Sequence, residues 1–113
     1  MWLITTFGFF SVVQKPEDVK AGLLTIRSRV GSDLDALRSN YLPVLGPTQE
    51  SADSDYRYRA RAPRAAVAAA MTEIAEDIDY SNFKDVVAKR QGPLRAKAYG
   101  KVWQVLYSMQ TSQ

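Results

Sequence analysis

The spacing of apolar positions changes several times along this 113-residue chain. Residues 2–14 are crowded with β-branched and aromatic types: Trp2, Ile4, Thr5, Thr6, Phe9, Phe10, Val12 and Val13. That is the chemistry of a strand region, and Gly8 predicts a tight hairpin or a bulge within it. "KPEDVKAG" follows as a polar connection. "LLTIRSRV" (23–30) then alternates with a period of two. Leu24, Ile26, Ser28 and Val30 share one face, and Thr25, Arg27 and Arg29 the other. The period lengthens in "GSDLDALRSNYLP", where Leu34, Leu37 and Tyr41 form one helical stripe. Ser32 is the expected N-cap, Asp33 and Asp35 suit the positive helix start, and Pro43 ends the helix.

Residues 43–54 are loop-like in composition. "DYRYRARA" (55–62) returns to a period of two, with Tyr56, Tyr58, Ala60 and Ala62 facing one way and Arg57, Arg59 and Arg61 the other. Pro63 suits the first turn of a helix whose apolar positions are Val67, Met71, Ile74 and Ile78. Ser81 is placed to cap a short helix carrying Phe83, Val86 and Val87. Gly92-Pro93 breaks it and opens a last helix with two stripes. Leu94, Ala98, Val102, Leu106 and Met109 form one stripe, and Tyr99, Trp103 and Tyr107 the other.

Strands come first, then a helix, a strand and several helices. The simplest arrangement is α+β: an antiparallel sheet of three to four strands with helices packed on one face, in a single domain spanning 1–113. No apolar run reaches membrane-spanning length. The apolar start lacks a basic n-region, so it reads as a strand and not a signal peptide, and the cytoplasm is the expected location.

Composition narrows the chemistry. The chain has no cysteine and no histidine, which removes disulfides, thiolate catalysis, the usual general base and the commonest metal ligands. An enzyme would have to work with Asp, Glu, Lys, Tyr, Arg or Ser, so the residue set points to a binding module more than a catalyst. No cofactor is called for. Lys plus Arg number 15 and Asp plus Glu 12, and the excess is unevenly placed. Arg57, Arg59, Arg61 and Arg64 fall in eight residues that hold no acid.

If the two alternating strands share a sheet, Arg27, Arg29, Arg57, Arg59 and Arg61 line one surface. Like charges opposite one another weaken a strand pair, so acidic neighbours or a polyanion should offset them. Forked, permanently charged guanidiniums suit phosphate. With an aromatic such as Tyr56 beside them they suit nucleic acid or a nucleotide. The plainer alternative is a solvated strand face whose arginines lie over apolar neighbours.

"MWLITTFGFFSVV", "DYRYR", "DIDYSNFK" and "RAKAYGKVWQVLY" together resemble a family of small uncharacterised bacterial proteins, over nearly the whole chain. The resemblance implies that Trp2, Gly8, Phe10, Ser11, Asp55, Tyr56, Asp77, Asp79, Tyr80, Asn82, Phe83, Lys84, Tyr99 and Trp103 are signature positions. It implies no activity.

Around "DIDYSNFK", Asp77, Asp79, Tyr80, Asn82 and Lys84 make a polar cluster. Its structural explanation is a helix corner: Asp79 or Ser81 caps the helix, Asn82 satisfies backbone groups, Phe83 anchors the corner, and Lys84 pairs with an acid such as Asp77. The chemical alternative is a Mg²⁺ site that joins Asp77 and Asp79 to Asp53 or Asp55, as a nuclease would need. The stripe of Tyr99, Trp103 and Tyr107 is either core packing or an interface for a protein partner or a second copy.

Overall fold

The computed structural model describes residues 1–112, which form two compact units: Met1–Ile78 and a second beginning at Asp79. No helix among the described residues is long and apolar enough to cross a membrane.

The first unit is built on a five-stranded antiparallel sheet. The strands are β1 (Trp2–Ile4), β2 (Phe9–Val13), β3 (Leu23–Ser28), β4 (Gln49–Glu50) and β5 (Tyr58–Pro63), in the spatial order β1-β2-β3-β5-β4. The expected α+β class holds, with five strands instead of three or four. The added strand is β4, two residues inside the stretch read as loop. Gly46 and Ser51 flank it, and each donates its backbone N–H to β5 or its approach, at 2.8 Å to Arg61 O and 2.8 Å to Arg57 O. Edge pairing of this kind depends on backbone groups, so side-chain alternation does not announce it.

Gly8 does close a hairpin between β1 and β2. Thr5 organises the turn: its Oγ1 donates to Gly8 O (2.8 Å) and accepts from the N–H groups of Gly8 (3.0 Å) and Phe7 (3.2 Å). A side chain that bonds its own turn in this way competes with continued strand and fixes the corner.

The register sorts the strand residues into two faces. Val12, Ile26 and Ala60 lie side by side, as do Leu24 and Ala62. With Phe10 they form the inner face. Against it pack α2 (Gly31–Asn40), through Leu34 and Leu37, and α3 (Arg64–Glu76), through Val67 and Ala70. Phe10, Ile26 and Leu34 have no exposed surface. Leu42 and Leu45 complete this core from the segment that follows α2. Two expectations about α2 change. Its N-cap is Val30, with no side-chain cap, and Ser32 falls inside the first turn. Val30 is exposed and lies past the end of β3.

The one-turn α1 (Asp18–Ala21) touches the opposite face. Asp18 is wholly buried there, and its Oδ2 accepts from Thr25 Oγ1 (2.7 Å) and from Lys15 N (2.9 Å).

The second unit consists of α4 (Phe83–Gln91) and α5 (Pro93–Ser112), joined at Gly92, whose φ of 95° lies in the left-handed region that favours glycine. Phe83 stacks on Tyr99 with ring centroids 6.2 Å apart, and Tyr80 lies 6.2 Å from Phe83. The start of α4 therefore sits beside Tyr99, in the first half of α5. At 1.5 Å per residue, α5 extends about 20 Å beyond that level.

Candidate anion-binding face

The sheet face opposite the core carries one lateral row that crosses every strand. The register pairs Trp2 with Ser11, Ser11 with Arg27, Arg27 with Arg59, and Arg59 with Gln49. Each belongs to a different strand. A neighbouring row places Val13 beside Thr25 and Thr25 beside Arg61. The alternation read from "LLTIRSRV" and "RYRARA" thus places Arg27, Arg59 and Arg61 together.

The five arginines differ in what neutralises them. Arg61 Nη2 meets Glu17 Oε1 at 2.8 Å, and its Nε lies 3.4 Å from Asp18 Oδ1. Arg57 Nε donates to Glu50 Oε1 at 2.7 Å, and that bond holds the guanidinium above its ordinary pKa. Arg27, Arg29 and Arg59 have no ion-pair partner among the described residues. Arg27 Nη2 donates to Ser11 Oγ (2.8 Å), Arg29 Nη1 to Asp55 O (2.8 Å), and Arg59 Nη2 to Ser54 Oγ (2.5 Å) and Tyr56 O (3.4 Å). All of these acceptors are neutral. The other terminal nitrogen of each guanidinium has no protein acceptor among the described residues. The Nε groups of Arg27 and Arg59 are shielded from solvent and also lack one.

Tyr56 does not lie with Tyr58, Ala60 and Ala62 as the alternation predicts. It precedes β5, is only 3% exposed, and its ring lies beneath two guanidiniums, with Arg27 Cζ 4.6 Å and Arg29 Cζ 4.5 Å from the centroid. It is the floor on which two arginines rest, an arrangement favoured by the ring's negative face. Arg57 also departs from its expected place. It too precedes β5, and it pairs with Glu50 and lies 5.8 Å from the ring of Tyr58, the two residues that face each other across β4 and β5. The period of two fails at 56 and 57 because the strand starts at Tyr58.

Aromatic surface continues from this floor. Phe9 lies 6.4 Å from Tyr56, and Trp2 meets Phe9 edge-on at 5.7 Å. Trp2 is 67% exposed. Beside the arginine row, Lys15, Glu17, Thr25, Gly46, Pro47, Gln49, Arg59, Ala60 and Arg61 line a pocket of about 160 Å³. Trp2, Ser11 and Gln49 were not among the expected binding residues. Their place in the row follows from strand register, which side-chain pattern alone does not supply.

The "DIDYSNFK" residues are held by local structure. Asn82 is the N-cap of α4, with Oδ1 accepting from Asp85 N at 3.0 Å, so the cap is neither Asp79 nor Ser81. Asp77 is the C-cap residue of α3 and accepts the Tyr41 hydroxyl at 2.8 Å. Asp79 is exposed, Tyr80 packs on Phe83, and the end of the Lys84 side chain lies beside Gly100. No group of three or more acidic side chains among the described residues is placed to hold a metal ion.

The stripe on α5 divides. Tyr99 packs on Phe83 and accepts from Arg95 Nη1 at 3.2 Å, while Trp103 and Tyr107 stack on each other at 5.1 Å and stand open to solvent. Val105, Leu106 and Met109 are also exposed.

Compared with protein-family models, curated proteins and solved structures, the chain matches none.

Proposed function

We propose that the outer sheet face binds a phosphate-bearing anion, nucleic acid being the first choice, and that Arg27, Arg29 and Arg59 hold it. The observation that carries this reading is the direct pairing of Arg27 with Arg59 across β3 and β5 with no carboxylate at ion-pair distance. Opposed like charges weaken a strand pair. A phosphate between them would turn that repulsion into shared, forked hydrogen bonding. This is binding without chemistry, because arginine stays protonated and cannot act as a general base.

Retention of a fluorescent oligonucleotide at low and physiological salt tests it. Binding should fall steeply with salt, and the double variant Arg27→Gln, Arg59→Gln should abolish it. Unchanged retention by that variant would remove the proposal.

A second reading places a protein partner on α5, and it is favoured by the exposed Trp103, Val105, Leu106, Tyr107 and Met109. Its occupant is a second copy of this chain. Residues 102–113 contain no charged side chain, so two copies bring no like charges together there. Sedimentation at rising protein concentration should show dimer in the parent and monomer in Trp103→Ala, Leu106→Ser. A parent that stays monomeric would dismiss it.

A further inference from the structure

We infer that the ligand of this face is single-stranded nucleic acid laid across the strands, with one base on Trp2 and phosphates on Arg27 and Arg59. The inference rests on the phosphate-binding reading. What it adds comes from the row Trp2, Ser11, Arg27, Arg59, Gln49, which runs perpendicular to the strands. Neighbouring strands are about 4.8 Å apart, so the row is roughly 19 Å long.

Its two ends and its middle differ chemically. Trp2, at the edge strand, offers an indole that is 67% exposed and braced edge-on by Phe9. Such a ring is a stacking platform for a flat base, and every base has a π-face. Ser11 follows, with its hydroxyl already committed to Arg27. The two guanidiniums come next, each with a terminal nitrogen still open to an acceptor. Gln49 closes the row with a neutral amide on an exposed strand. Ring first and cations next is the order of a base and the phosphates that follow it.

The same arrangement selects against two other polyanions. In a duplex the bases are paired and stacked, and the faces that Trp2 would cover are unavailable. An acidic peptide offers carboxylates to the arginines but no ring to Trp2.

The test uses the full chain with Trp103→Phe, which leaves Trp2 as its sole tryptophan. A short oligothymidylate, a duplex of equal length, tripolyphosphate and polyglutamate are titrated at low salt while Trp2 emission is followed. Oligothymidylate should quench Trp2 and bind about 10-fold or more tighter than the other three. Adding Trp2→Ala should remove about 10-fold of that affinity, and Trp2→Phe should restore most of it. Trp2 is largely exposed, so neither change threatens folding. If Trp2 stays unquenched, or duplex or tripolyphosphate binds equally well while Arg27→Gln, Arg59→Gln still abolishes binding, single-strand recognition is overturned and the phosphate site stands. If polyglutamate binds as tightly as the phosphates, or no polyanion binds, both readings fall.

Discussion

Asp33 accepts the backbone N–H of Phe9 at 3.0 Å, and this bond joins the first turn of α2 to the β1–β2 hairpin across 24 residues. Asp33 is 5% exposed. Gly8 is what allows the approach: a Cβ there would lie 2.9 Å from Asp33 Cβ and 2.8 Å from Phe10 Cζ. Gly8→Ala should therefore destabilise the first unit by about 1–3 kcal/mol, the usual cost of overpacking. Urea unfolding would measure it. An Ala variant as stable as the parent would mean that the hairpin can move away from α2.

Acid should weaken the first unit partly through Asp18. Burial pushes its carboxyl up, but the Thr25 hydroxyl, the Lys15 amide and the charges of Arg61 and Lys15 more than offset this, and its pKa ends below the ordinary 3.8. A carboxyl whose pKa is lower when folded binds fewer protons in the folded state. Its stabilisation is present above 3.8 and is lost as pH falls through the folded value. Asp18→Asn should cost about 1.5–3 kcal/mol near neutral pH, the range for hydrogen bonds to a charged group. The gap from the parent should close as pH drops below 3.8. Denaturant melts at several pH values would show it, and a gap independent of pH would assign the effect to shape alone.

Asn82→Ala removes the side-chain cap of α4 and should cost about 1 kcal/mol, whereas Asn82→Asp should cost little because the carboxylate can accept the same amide. Thermal melts followed by far-ultraviolet circular dichroism would compare the two. Equal losses in both would mean that the amide group, and not the acceptor oxygen, matters.

Among the arginines, Arg59→Ala should weaken oligonucleotide binding and lower the slope of log affinity against log salt by about 1. Arg57→Ala should leave both unchanged, since its guanidinium already pairs with Glu50. The same contrast bears on stability. The Arg57–Glu50 pair is solvent-exposed on both sides, so its loss should leave the unfolding midpoint close to that of the parent.

Much of this fold is visible in side-chain period. The inner faces of β3 and β5 follow directly from alternation at Leu24, Ile26, Tyr58, Ala60 and Ala62, because burial of one sheet face requires it. The helices carrying Leu34, Val67 and Val87 follow from their apolar spacing. Element ends were harder to read. Tyr56 and Arg57 continue the alternating pattern by composition, yet the strand begins only at Tyr58, and a pattern of two residues cannot announce where hydrogen bonding starts. The caps of α2 and α4 fell to Val30 and Asn82 for a similar reason: Ser32 and Ser81 have the right chemistry one or two positions away from the backbone geometry that would use it. Gln49 and Trp2 could not be assigned to the arginine row before the register was known.

That row has a consequence for folding itself. Its five members come from five strands and are aligned only when every strand is in register. A slip of one residue in β3 or β5 would turn Arg27 or Arg59 toward Phe10 and Leu34 and expose Ile26 or Ala60. Burying an unpaired guanidinium is far costlier than leaving it wet. The charges proposed to grip a ligand thus also guard the pairing of the sheet, and relieving their mutual repulsion by mutation would raise strand affinity while loosening the choice of alignment.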